Sequence, residues 1–143
     1  MPIPYFIIIP IICGLVAQLL KLVFKPHKLY LKTLISYGGM PSSHAALLTS
    51  LCTVIALRQG VNSIAFAIAC IITIILLRDA FGLRIYLGKH GRTLNKLIAR
   101  LSSEERKKLP GHLEDQIGHR MSEILAGTLI GVGLSLILYY LFI

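Results

Sequence analysis

Residues 3–24 read IPYFIIIPIICGLVAQLLKLVF, about 22 residues in which Lys21 is the only charge. At ~1.5 Å per residue such a helix is roughly 33 Å long, enough to cross the ~30 Å hydrocarbon core of a bilayer. The stretch lacks the basic start and small-residue cleavage site of a secretory signal, so it is expected to stay as a helix. Three further apolar runs follow: Ala45 to Leu57, Ser63 to Leu77 and Ile124 to Ile143. The second run is short, and its helix is expected to begin at Ser42 or Ser43, partly at the interface or inside a protein cavity. Of the 143 residues 55% are apolar and only 15% charged, too apolar for an ordinary soluble domain and too sparsely charged for disorder. The expected architecture is an all-α integral membrane bundle, a single domain over residues 1–143, with about four transmembrane helices.

The connections carry the charge. Arg58 to Asn62 reads as a tight turn that makes an antiparallel hairpin of the second and third spans, the third ending at Arg78-Asp79. After Gly82 the chain turns basic, with one amphipathic helical piece that puts Leu94, Leu97, Ile98 and Leu101 on one face and Arg92, Lys96 and Arg100 on the other. Such a helix suits an anionic membrane surface. Residues 102–111, SSEERKKLPG, read as a solvated helix end or loop. Gly127, Gly131 and Gly133 thin one side of the last span for close helix packing. Four crossings place both termini with Arg58, and 14 of the 15 Lys and Arg on the other side. By the positive-inside rule that basic side is cytoplasmic, in the inner (plasma) membrane, with extracytoplasmic termini. A net charge of +9 would suggest nucleic acid in a soluble protein, but here the expected partner is the lipid bilayer or a phosphate-bearing lipid. Cys13, Cys52 and Cys70 lie inside apolar runs with no metal-ligand spacing and read as small buried hydrophobes.

Chemistry-bearing residues collect on the basic side. Gly38 to His44, GGMPSSH, is a glycine-rich turn running into a helix start, where backbone N–H groups and the helix dipole receive an anion such as phosphate. His44 in the first turn can give a proton to a leaving group; the plainer reading is an interfacial histidine beside an ordinary Ser cap. His119 and Glu123 are four apart, so on a helix they share a face and the carboxylate can orient the imidazole; otherwise they form a surface ion pair. Lys21 is either a phosphate ligand in low dielectric or a snorkelling side chain. Arg78 and Arg84 flank Asp79, which can orient an arginine, cap the third helix or hold a divalent cation; one carboxylate makes a poor metal site. His90 ranks below His119 because no carboxylate follows it at i+4, and His27 and His112 have no supporting neighbours.

The elements Pro41-Ser42-Ser43-His44 and His119-x-x-x-Glu123-Ile-Leu-Ala-Gly resemble the PSGH and HxxxDVxxG signatures of the type 2 phosphatidic acid phosphatases, the superfamily that includes vanadium haloperoxidases. The whole chain resembles its divergent, small bacterial and plastid branch, through residues 18–21, 38–45, 79–84, 94–97 and 118–127. Ser43 stands where the signature has Gly, and Glu123 where it has Asp. The resemblance implies a lipid phosphate phosphatase with His119 as the nucleophile that forms a phosphohistidine, Glu123 as its orienting carboxylate and His44 as general acid. Lys21, Ser42, Ser43 and Arg84 would hold the phosphoryl oxygens, with Asp79, Arg78 and Asn95 as supporting residues. No metal or other cofactor is needed in that scheme. Phosphatidylglycerophosphate, phosphatidic acid or a polyprenyl diphosphate is the implied substrate class, turned over at the cytoplasmic face. A bundle this small is expected to gain shelter from a homo-oligomer. The rival is a non-catalytic lipid-phosphate binder or transport-related protein.

Overall fold

The computed structural model describes residues 4–24, 39–109, 111–113, 115 and 120–142. Helix α1 spans Pro4–Phe24, α2 Ser43–Gln59, α3 Ile64–Phe81, α4 Leu83–Ile98, α5 Ser103–Lys107 and α6 Met121–Phe142. The described residues contain helices and turns and no strand. An all-α membrane bundle is therefore what the chain forms.

Helices α1, α3 and α6 are each long and apolar enough to cross a bilayer. Helix α2, with 17 residues, is only ~25 Å long, and it occupies the middle of the bundle. Its residues Ala45, Ala46, Leu48, Ser50, Val54 and Ile55 are buried, whereas α3 presents Ile68, Ile71, Ile72, Ile74 and Ile75 to its surroundings. The short run is thus a fourth helix enclosed by the longer ones, as a protein cavity requires and an independent span does not.

Inter-helix contacts give each helix its direction. Ile9 and Cys13 of α1 bury against Val54 near the end of α2, and Gln18 reaches Ser43 and His44 at its start, so α1 and α2 are antiparallel. Leu134 and Leu138 of α6 join the Val54 cluster, and the Ser42 N–H donates to the Glu123 carbonyl at 2.9 Å, so α2 and α6 run parallel. Gly127 and Gly131, four apart and on one stripe of α6, let it close on α2. A Cβ at Gly127 would collide with the Ser42 carbonyl, and one at Gly131 with the Ala46 carbonyl and Thr49 Oγ1. Gly133 has nothing within 4 Å of such a Cβ. It sits two positions from Gly131, on a different side of the helix, and so has no part in the packing expected of it.

The α2–α3 hairpin forms as the turn residues predict. Gly60 at φ +84° caps α2, its N–H bonding the Ala56 carbonyl at 3.0 Å, and Ser63 Oγ accepts from Phe66 N–H at 3.2 Å to start α3. Helix α3 does not end at Arg78-Asp79 as the charge pair suggested. It continues to Phe81, and the Gly82 N–H closes it on the Arg78 carbonyl at 2.7 Å. Asp79 is consequently inside the last turn and does not cap. Helix α3 packs on α2 and stands off from α6, leaving a groove of about 430 Å³ between Thr49, Cys52, Cys70, Thr73 and Val132. Cys52 and Cys70 line it half-buried, and Cys52 Sγ lies 3.2 Å from Thr73 Oγ1. Of the three thiols only Cys13 is buried, which corrects the expectation for the other two.

The amphipathic helix is longer than the leucine pattern implied. Helix α4 starts directly after Gly82, with Lys89, Arg92 and Lys96 exposed along one side and Leu83, Leu87, Leu94 and Leu97 exposed along another. Arg106 donates to the Ala99 carbonyl at 2.7 Å and the Leu101 carbonyl at 3.2 Å, closing the chain beyond α4 with a cation. Residues 102–111 hold a formed element: α5 carries a full capping box between Ser102 and Glu105.

Candidate functional site

Four helix termini meet at one end of the bundle: the C-terminal ends of α1 and α3 and the N-terminal ends of α2 and α6. The chain brings Lys21, Ser42, Ser43, His44, Asp79 and Glu123 to that end through these termini.

Ser42 is the hinge of the arrangement. Its Oγ accepts from the Ala45 N–H at 3.3 Å and its carbonyl from the Ala46 N–H at 3.1 Å, so the residue caps α2 twice over. Its own N–H is spent on the Glu123 carbonyl. The amides of Ser43 and His44, the first two positions of α2, are those a helix leaves to acceptors outside itself. Ser42 is fully buried, Ser43 half-buried and His44 exposed. The cap therefore forms a floor, and His44 reaches outward from it. The Ser42 amide is taken by the fold, while its hydroxyl accepts from Ala45 and keeps its hydrogen to donate.

Lys21 lies in the last turn of α1 and is only 3% exposed. A snorkelling lysine keeps its ammonium in water, whereas Lys21 is buried. The carbonyl end of the α1 dipole favours a cation there. None of Lys21, His44, Asp79 and Glu123 is without a polar or electrostatic partner.

Glu123 holds a position that the i, i+4 argument did not foresee. Helix α6 begins at Met121. Glu123 is the third residue of α6, and its Oε2 accepts from the Arg120 N–H at 3.1 Å, the carboxylate half of a capping box. His119 itself lies outside the described residues, as do His27 and residues 25–38 of the glycine-rich approach. Arg84 is the second residue of α4, one turn past the end of α3. Arg78 and His90 are exposed, and His112 is paired only at the 4.0 Å limit with Asp115.

Gln18 had no role assigned from the sequence, and Asn95, expected as a supporting residue, takes a specific form. Gln18, one turn before Lys21, shares a cavity of about 250 Å³ with Ser43 and His44; its i, i+3 spacing from Lys21 was the available signal. Asn95 clasps the backbone of Leu113, donating from Nδ2 to the carbonyl at 2.9 Å and accepting at Oδ1 from the N–H at 3.0 Å. This pair ties α4 to the segment that leads into α6. Among the described residues no group of three or more His, Cys, Asp and Glu side chains is placed to hold a metal ion.

An all-helical membrane bundle that gathers a buried lysine, a Ser-capped helix start with a histidine and a glutamate-capped helix start at one end defines the class of molecule. The chain belongs to the Divergent PAP2 family, which it matches over residues 4–134. It is similar to the uncharacterized membrane protein YuiD of Bacillus subtilis (strain 168), at 37% identity over 75% of this chain and 74% of that protein. No solved structure matches it.

Proposed function

We propose that this chain is a lipid phosphate phosphatase of the inner (plasma) membrane, acting at the basic, cytoplasmic end of the bundle with the termini on the opposite face. The observation that carries the reading is the docking of Ser42 onto Glu123 at the end of the bundle where α1 ends with the buried Lys21. It joins two motif-bearing segments about 80 residues apart in sequence with a cation held in low dielectric. In this reading His119 attacks phosphorus and forms a phosphohistidine as the bond to the lipid alkoxide breaks. His44 gives the alkoxide its proton. Water then attacks phosphorus, loses a proton to His44, and releases phosphate and His119. Lys21, Arg84, the Ser42 hydroxyl and the amides of Ser43 and His44 stabilise the charge that builds on the phosphoryl oxygens. A carboxylate accepts at both oxygens, so capping Arg120 leaves Glu123 able to orient an imidazole. Asp79, Arg78 and Asn95 support these groups, and neither metal nor other cofactor takes part. A phosphomonoester such as phosphatidylglycerophosphate or phosphatidic acid is the substrate class, and a second copy of the chain shelters the site.

The test is phosphate release from a panel of lipid phosphates by the purified protein, with His44→Ala and His119→Ala beside it. Loss of release in both variants with unchanged helicity and unfolding temperature is expected; equal release by all three proteins would overturn the reading. The engagement of Glu123 by the Arg120 amide favours one rival, a binder without turnover. That rival predicts lipid-phosphate binding by the wild-type protein and no release.

A further inference from the structure

We propose that the groove between α1 and α2 seats one hydrocarbon chain of the phosphate-bearing molecule, so that the site takes a membrane lipid from within the bilayer. The proposal rests on the phosphatase reading for the fate of the head group and on the groove itself for the tail. The groove surface is almost wholly apolar, and at one end it reaches Gln18, Ser43 and His44. Away from that end the walls are Ile11, Leu15 and Leu47, aliphatic and 46%, 58% and 37% exposed. Gly14 makes the floor. A Cβ there would stand 3.3 Å from Leu47 Cβ and Cδ1, so the missing side chain lets the two helices meet under the groove without filling it.

From Ile11 to Gln18 the groove follows α1 for ~10 Å. Because α1 is long and apolar enough to cross a membrane, this length opens to hydrocarbon and not to water. It runs from Ile11 and Leu15 to the Ser-capped start of α2 at Ser43 and His44. The buried ammonium of Lys21 lies one turn of α1 beyond Gln18. A molecule with an anionic phosphate at one end and an alkyl chain at the other matches that sequence of surfaces. A water-soluble phosphate ester matches only the end at Ser43 and His44, so Ile11 and Leu15 are specificity residues for the lipid.

The experiment compares phosphate release from dihexadecanoyl and dibutanoyl phosphatidic acid in detergent micelles by the wild-type protein and by Ile11→Trp, Leu15→Trp and Ile71→Trp. Ile71 is 59% exposed on α3, away from the groove, and serves as control. The long-chain to short-chain ratio of kcat/KM is expected to fall about tenfold in the two groove variants, the worth of roughly two methylenes leaving an apolar contact. It should hold in Ile71→Trp. An unchanged ratio in the groove variants, or an equal fall in the control, would overturn the proposal. A second measurement is independent of turnover: a phosphatidic acid with a diazirine in one chain is photo-crosslinked and the adduct located by mass spectrometry. Adducts within residues 11–18 and 43–47 support the groove, and adducts spread over α3 overturn it. Groove adducts without phosphate release would sink the phosphatase reading and leave the groove standing.

Discussion

Lys21 shows what burial adds to a residue type. An isolated ammonium out of water is costly, and burial at 3% exposure is sustained only with anionic or dipolar company. If that company includes the phosphoryl group, Lys21→Met keeps the stem and removes the charge. Phosphate release should then drop by about 100-fold or more, as for other lost transition-state contacts, while helicity by circular dichroism stays at wild type. Ser42 makes a different point, because its amide, its carbonyl and a lone pair of its hydroxyl are engaged by the fold. Glu105 is a third case, outside the bundle. Hydrogen bonds from the Ser102 hydroxyl and amide hold its carboxyl below the usual glutamate range. A depressed folded-state value means that the cap is at full strength above the ordinary glutamate pKa and is lost as pH falls through the lowered one. Ser102→Ala should move the Glu105 titration, followed by carboxyl NMR, upward toward its ordinary position.

Between elements, the interface of α2 and α6 carries the tightest constraint. Gly127→Ala places a methyl against the Ser42 carbonyl, so the two helix starts must separate. A loss of about 1–3 kcal/mol is expected, read as a lower unfolding temperature in detergent. Phosphate release should fall with it, because Ser42 and Glu123 part together. Polar groups within the helices ask for no such partner. Thr49, Thr53 and Ser135 return their hydroxyls to carbonyls four residues back at 2.7, 2.8 and 2.6 Å, which satisfies them inside the bilayer. The clasp of Asn95 on Leu113 is a further cross-element tie. Asn95→Ala removes both of its hydrogen bonds and should cost about 1–2 kcal/mol locally, seen as faster amide exchange at Leu113.

Over the whole molecule, helix direction decides sidedness. Helix α3 separates the Gly60 hairpin from α4 and α5, so a single cysteine at Asn62 and one at Glu104, each in a cysteine-free background, should react with an impermeant maleimide from opposite faces of a vesicle. Reaction from one face alone would contradict the crossing. The expected cytoplasmic face is that of Glu104, where the basic residues gather.

Periodicity, run length and charge asymmetry determined the helical membrane class, the hairpin at Gly60 and the Ser42 cap, because each is a local matter of apolar surface, dihedral freedom or a hydrogen bond three residues away. The meeting of Ser42 and Glu123 was anticipated from motifs, yet its form was not legible. The end of α3 was misread because two charges at a helix terminus resemble a stop when Gly82 supplies one three residues later. The docking of Ser42 on Glu123, the idle Gly133 and the groove along α1 belong to the tertiary structure alone. They depend on which faces of distant helices come into contact, and that is settled by close packing across the whole bundle.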